Sequence, residues 1–212
     1  MPKGSAEITK GRRDEIVRAC AKLYETMSFK DITLKEIGSA TSFTRTSIYN
    51  YFQTKEEIFL ALLQREYEAW VADLDRLIAA HDALSTADFA SELALSLERR
   101  ALLLKLMTMN NYDMEANSSD ERLADLKRAY GASIKALDKC LIHFRPEMTA
   151  PQREGFLYAF LPFVYGTYPY TSVSAKQNKA MKVAQVPFVC HSIYELVVNC
   201  VLQLLHDEKK EG

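Results

Sequence analysis

The chain has 212 residues, 48% of them hydrophobic, and is almost neutral with 27 Lys/Arg against 28 Asp/Glu. That length supports a sizeable core, and that apolar content excludes a disordered chain. The near-neutral total hides an asymmetry: residues 1–55 hold ten Lys/Arg against six Asp/Glu, whereas residues 56–212 hold seventeen against twenty-two. A basic front and an acidic remainder point to an anionic partner for the first part and a different role for the second. The opening MPKGSAEITKGRRDE has no apolar stretch of leader type, and no uncharged apolar run reaches membrane-spanning length. The four cysteines (Cys20, Cys140, Cys190 and Cys200) lack paired spacing and read as reduced core thiols of a cytoplasmic protein.

Glycine is scarce and no segment alternates apolar with polar residues, so the fold is predicted to be all-α, with about nine helices. The first helix spans about Thr9 to Met27, with Ile16, Cys20, Leu23, Tyr24 and Met27 on its buried face. Thr33 and Glu36 form a T-x-x-E capping box for a second helix, with Leu34 and Ile37 facing inward. Thr44 is placed to cap a third, anchored by Ile48 and Phe52. A long helix from Lys55 to about Ala80 follows, with Ile58, Leu62, Leu63, Trp70, Leu74 and Leu77 apolar. Ser85 and Asp88 start a helix through Leu97; another covers Arg99–Asn110, and Asn111–Ser119 reads as a loop. Helices at Asp120–Phe144, Ala150–Thr167 and Val186–His206 complete the chain, with a short polar helix at Ser174–Ala184. Residues 1–54 are read as a head and residues 55–212 as a body.

The segment 33–52 carries the chemistry. Two short helices flank a tight turn, and no acid occurs from Thr44 to Lys55, so the second helix can approach a polyanion without repulsion. In a helix-turn-helix the second helix lies in the major groove, leading with its N-terminal residues. Arg45 can reach a guanine edge or a phosphate, and Asn50 an adenine edge or a phosphate. Thr46 and Ser47 are short enough for close approach, and the phenols of Tyr49 and Tyr51 can donate to phosphates. Thr33 and Lys55 each stand at a helix start, where free N–H groups and the helix dipole favour an anion. Any one of these side chains would equally suit a solvated surface, and most contacts to DNA go to phosphate.

Residues 10–70 resemble the DNA-binding domain of the tetracycline-repressor (TetR) family of transcriptional regulators. The matching pieces are the helix Arg12–Met27, then SFKDITLKEIG, then FTRTSIYNYFQTKEEIFLALL, with the Tyr49-x-x-Phe52-x-x-Lys55 spacing most specific. The resemblance implies a three-helix helix-turn-helix head and a helical body for ligand binding and dimerisation. It implies a homodimeric repressor on a palindromic double-stranded operator, released by a small-molecule effector. It places Thr44, Arg45, Thr46, Ser47, Tyr49, Asn50, Tyr51 and Lys55 at DNA. Ser42 and Phe43 depart from the family's usual glycine and small aliphatic residue; a positive φ at Ser42 would carry strain of about 1 kcal/mol.

The body offers two further readings. In FVCHSIYELVVNCVLQLLH only a narrow stripe is polar, so Phe188, Val189, Ile193, Val197, Cys200 and Leu204 are candidates for a homodimer face, against a plain core helix as the alternative. Pro162 is expected to kink an aromatic helix and open space beside it. Trp70, Met107, Met109, Phe156, Phe160, Phe163 and Tyr165 are candidates for an apolar ligand pocket, a composition that ordinary cores share. No cofactor or metal is expected: Cys140/His143 and Cys190/His191 are two-residue pairs that nothing in the sequence brings together. No phosphate loop, GxSxG elbow or HExxH occurs, so the chain is read as no enzyme, a helical enzyme being the remote alternative. A DNA-binding regulator controlled by a protein partner, with no small ligand, is the nearer one.

Overall fold

The computed structural model describes residues 3–109 and 111–207, with eleven helices and no strand among them. In order these are α1 (Lys3–Thr26), α2 (Leu34–Ser39), α3 (Arg45–Ile48), α4 (Lys55–Ala80), α5 (Thr86–Glu98), α6 (Ala101–Met107), α7 (Asn111–Ala116), α8 (Asp120–Phe144), α9 (Ala150–Thr171), α10 (Ala175–Val183) and α11 (Ile193–Asp207). None is long and apolar enough to cross a membrane. The chain forms two compact units: residues 1–65 with 110–130, and residues 66–109 with 131–212.

Most helix starts follow from local chemistry. Thr33 accepts from the amides of Lys35 and Glu36, Thr44 from Ser47, and Ser85 from Asp88, so each hydroxyl satisfies an otherwise orphaned donor. Three differences from the sequence reading have physical causes. Asn111–Ala116 is helical rather than loop. The last helix begins at Ile193 rather than Val186. Gln185 takes the left-handed φ of 54°, Pro187 disfavours helix in the residue before it, and Ser192 with Glu195 supplies a reciprocal cap seven residues later than expected. Finally, α9 continues past Thr167 to Thr171, with Pro162 and Pro169 both on its exposed side. The backbone bond that Pro162 cannot make belongs to the outer surface and not to the core.

In the first unit the core gathers Ile16, Cys20 and Tyr24 of α1, Ile37 of α2, Ile48 and Phe52, and Ile58, Phe59 and Leu62 of α4. Packing carries this unit beyond residue 54. Glu57, only 4% exposed, accepts from the amides of Gln53 (2.8 Å) and Ser119 (3.2 Å), and the Thr54 hydroxyl donates to the Asn117 carbonyl (2.8 Å). The Arg122 guanidinium lies 5.3 Å from the centroid of the Phe52 ring. The segment before α8 is thereby fastened to the start of α4.

In the second unit α11 packs on α5 and α9, and α9 on α6. Trp70 is fully buried, and its indole N–H donates to Ser96 Oγ (3.1 Å), which donates to the Leu93 carbonyl (2.7 Å). The Tyr67 and Tyr165 hydroxyls pair at 2.9 Å. Buried Asp73 accepts from Arg100 Nε (2.7 Å) and from Arg76. Burial alone would raise the Asp73 carboxyl, but the bonds and charges of Arg100 and Arg76 outweigh it and hold it below the usual carboxylate range. The folded-state pKa is depressed, so this stabilisation is present above the ordinary carboxylate pKa and disappears as pH falls through the folded value. Arg100→Ala is expected to cost about 1–2 kcal/mol at neutral pH, since Arg76 remains and Arg100 is partly exposed. Thermal melts at stepwise lower pH should show the gap between wild type and variant closing in acid.

Candidate nucleic-acid interface

The surface formed by α2, α3 and the turn after it is built by two anchors and two caps. Ile48 and Phe52 are buried, which turns the remainder of this segment outward, and Thr44, Thr46, Tyr49 and Asn50 are exposed. α3 is only four residues long; it continues as a tighter turn in which the amides of Asn50 and Tyr51 bond the carbonyls of Ser47 and Ile48. The Arg45 side chain lies outside the described residues. Ser47 is half-buried, its Oγ 2.9 Å from that of Thr44, so these two hydroxyls support each other at the head of α3. Thr33 is exposed, bonded to Glu36 through its hydroxyl and capping α2.

Lys55 is placed differently from a residue facing outward. Its ammonium donates to the carbonyls of Phe29 (2.8 Å) and Ile32 (3.2 Å) and lies 4.2 Å from the centroid of the Phe29 ring. Two of its three N–H donors are therefore engaged within the unit. Lys55 braces the α1–α2 connection in addition to any outward contact.

The turn at Ser42 is not strained. Gln185 is the one non-glycine residue with positive φ among the described residues, so Ser42 adopts no left-handed backbone. The turn is instead held from outside by Glu15 of α1, whose Oε1 accepts from both the amide and the hydroxyl of Ser42 at 2.9 Å. Those two bonds pull the Glu15 carboxyl below its ordinary value. Beside it, Arg12 Nη1 donates to the Tyr51 hydroxyl at 3.1 Å, a bond that raises the guanidinium's pKa further. The Phe43 ring sits against both, 5.9 Å from the Arg12 guanidinium carbon and edge-on to the Tyr51 ring at 6.1 Å. Sequence reasoning missed Arg12 and Glu15 as parts of this surface. The available signal was the pair of charges one turn apart on α1 with a turn serine in place of glycine.

In the body, Ile193 and Val197 fall on one stripe with Val201 and Leu205, four residues apart and buried within the subunit, so they cannot face a partner. Phe188 and Val189 precede α11, half-buried and exposed respectively, while Cys200 and Leu204 are half-buried on its flank. Of the pocket candidates, Trp70, Met107, Phe156 and Phe160 are buried, and Met109, Phe163 and Tyr165 half-buried. None of the seven lines either of two described clefts. One, about 310 Å³, lies between α4 and α5 by Asp73, Arg76, His81, Glu92 and Arg99. The other, about 370 Å³, lies along α10 by Tyr170, Val173, Met181 and Phe188. Burial raises the thiols of Cys20 and Cys140 to about 12 and that of Cys200 to about 11, while Cys190 is exposed rather than part of the core. Cys140 Sγ points at the Leu74 carbonyl and His143 Nε2 at that of His81, and no group of three metal-binding side chains occurs among the described residues.

Residues 16–62 match the bacterial regulatory proteins of the tetR family, and residues 64–191 match the tetracyclin repressor-like C-terminal domain. The uncharacterized HTH-type transcriptional regulator YdgC of Bacillus subtilis (strain 168) is 30% identical over 86 residues. That match spans 41% of this chain and 44% of YdgC's length. Among solved structures, a TetR/AcrR-family regulator from Thermobifida fusca superposes with a TM-score of 0.61 at 19% identity, covering 92% of this chain and 97% of that one. FadR of Thermus thermophilus, a TetR-family repressor in complex with lauroyl-CoA, gives 0.56 at 17% identity, covering 91% and 93%. At such identities these two likenesses concern the fold. The Thr33 cap yields a direct expectation: Thr33→Ala should lower stability by about 1 kcal/mol, read as a lower urea midpoint at unchanged slope.

Proposed function

This chain belongs to the tetracycline-repressor family of DNA-binding transcriptional regulators, and from that we propose that it is a homodimeric repressor released from a palindromic operator by a small-molecule effector. The observation that carries the DNA-facing half is the exposure pattern after Thr44. Short polar and phenolic side chains face solvent on a segment anchored by two buried apolar residues, with no acid to repel phosphate. In this reading Thr33, Thr44, Arg45, Thr46, Ser47, Tyr49, Asn50, Tyr51 and Lys55 contact the duplex. Residues 1–54 form the head, and residues 55–212 dimerise and take the effector.

The dimer half rests on α9. No Asp, Glu, Lys, Arg or His occurs from Gly155 to Ala175, and the exposed side presents Gly155, Ala159, Pro162, Gly166 and Pro169. Tyr158 and Tyr170 beside them are 75% and 61% exposed. Cys200 and Leu204 are half-buried on α11, which packs against α9. A second copy related by a two-fold axis would cover the exposed side of α9, and palindromic half-sites require such symmetry. The effector half is supported by likeness to a repressor that holds an acyl-CoA. An effector acts only through unequal affinity for DNA-competent and released forms.

Arg45→Ala should weaken operator binding by about 1–3 kcal/mol and relax preference at one base position if the arginine reads guanine. Anisotropy titrations on a duplex recovered by genomic-fragment selection would measure it; an equal loss on all sequences would assign Arg45 to phosphate. A Cβ added at Gly166 meets nothing within 4 Å, so Gly166→Glu should leave the subunit folded. Sedimentation equilibrium at micromolar concentration should show a wild-type dimer and a helical monomer for this variant. A wild-type monomer would remove the dimer from the proposal.

A further inference from the structure

Arg12 itself lies before residue 16, where the match to the tetR family begins, and its cluster joins three separate pieces of the head. Arg12 is an exposed residue of α1, Phe43 belongs to the turn before α3, and Tyr51 to the turn after it. One N–H of the guanidinium is engaged by the Tyr51 oxygen at 3.1 Å, and the Phe43 ring lies near both, 5.9 Å from the guanidinium carbon and edge-on to the Tyr51 ring at 6.1 Å. Three residues along α1, Glu15 fixes the amide and hydroxyl of Ser42, the residue before Phe43. An exposed arginine ordinarily samples many rotamers; this one is held by a hydrogen bond and an aromatic face.

The chemistry of the cluster selects its partner. Because the arginine can only donate, the Tyr51 oxygen is the acceptor, and the phenol's own hydrogen takes no part in that bond. A planar fork of N–H groups beside an O–H donor suits a tetrahedral anion with several acceptor oxygens, as a backbone phosphate provides. Tyr51 is already on the DNA-facing surface, so the phosphate in question is that of the duplex.

We propose that Arg12 is a phosphate-contacting residue of the DNA interface, and that Phe43 is the positioning residue that holds its guanidinium against Tyr51. The proposal rests on the DNA-binding reading above. It extends the interface to α1 and explains the aromatic residue at the turn, since Phe43 keeps the arginine and the phenol together as one donor set.

The test uses the full chain and two fluorescein-labelled 30-base-pair duplexes, one of random sequence and one recovered by selection from genomic fragments. Binding is titrated at several KCl concentrations. Arg12→Ala should weaken both duplexes by a similar factor, roughly ten-fold, and lower the slope of log K against log[KCl] by roughly one per protomer. Arg12→Lys should keep the slope while binding less tightly than wild type. Phe43→Leu should weaken binding several-fold in the wild-type background and add nothing to Arg12→Ala, which marks the two residues as one unit. Lys179→Ala on α10 serves as the remote charge control and should leave both curves unchanged. Unchanged affinity in Arg12→Ala, a loss without change of slope, or an equal effect of Phe43→Leu in both backgrounds overturns the proposal. If the wild-type protein binds neither duplex at low salt, the DNA-binding reading falls first and takes this one with it.

Discussion

The Lys55 ammonium holds the head together. The carbonyls of Phe29 and Ile32 belong to the connection between α1 and α2, and the ammonium satisfies both acceptors. The same residue is the first of α4, and Ile32 directly precedes the Thr33 cap of α2. One side chain thus sets the distance from the long helix to the start of the helix-turn-helix. The position of α3 depends on that distance, because Ile48 and Phe52 reach the core that α4 closes. Glu57 repeats the arrangement with opposite charge two residues later, binding the amides of Gln53 and Ser119.

The second unit follows a different logic. Its main buried polar pairs lie within the unit, Trp70 with Ser96, Tyr67 with Tyr165, and Asp73 with Arg100 and Arg76, while the buried Arg145 Nε has no such partner. Such pairing limits the cost of burying polar groups while leaving the apolar packing continuous. The exposed side of α9 from Gly155 onward is apolar, without formal charge, and carries exposed tyrosines beside glycine, alanine and proline. Exposed apolar area of that kind is disfavoured in water and is the ordinary mark of a surface with a partner.

Features governed by neighbouring residues were legible in the sequence. The caps at Thr33, Thr44 and Ser85, the anchors Ile48 and Phe52, and the length of α4 all follow rules that act within a few residues. Features joining distant residues were not. The Glu15–Ser42 bonds span 27 positions and the Arg12–Tyr51 bond 39, and no local rule announces either. The same limit hid the bracing role of Lys55, whose ammonium bonds carbonyls 23 and 26 residues away. In α11 the apolar arc was too wide to reveal its inner side. The stripe Ile193, Val197, Val201 and Leu205 emerges only once α5 and α9 lie against it. Pro187 and the Ser192–Glu195 cap did carry the true start of that helix, but the run of apolar residues outweighed them.

The uneven placement of the four thiols has a practical side. Cys20 and Cys140 are enclosed and Cys200 is half-covered, each with its proton held tightly by burial, whereas Cys190 stands exposed in the stretch between α10 and α11. Thiolate is the reactive form, so a maleimide dye applied briefly near neutral pH will mark the folded chain chiefly at that single position. The unaltered protein therefore carries its own attachment point for a fluorescent reporter, set beside the cleft along α10 and on the unit that does not hold the surface assigned to the duplex.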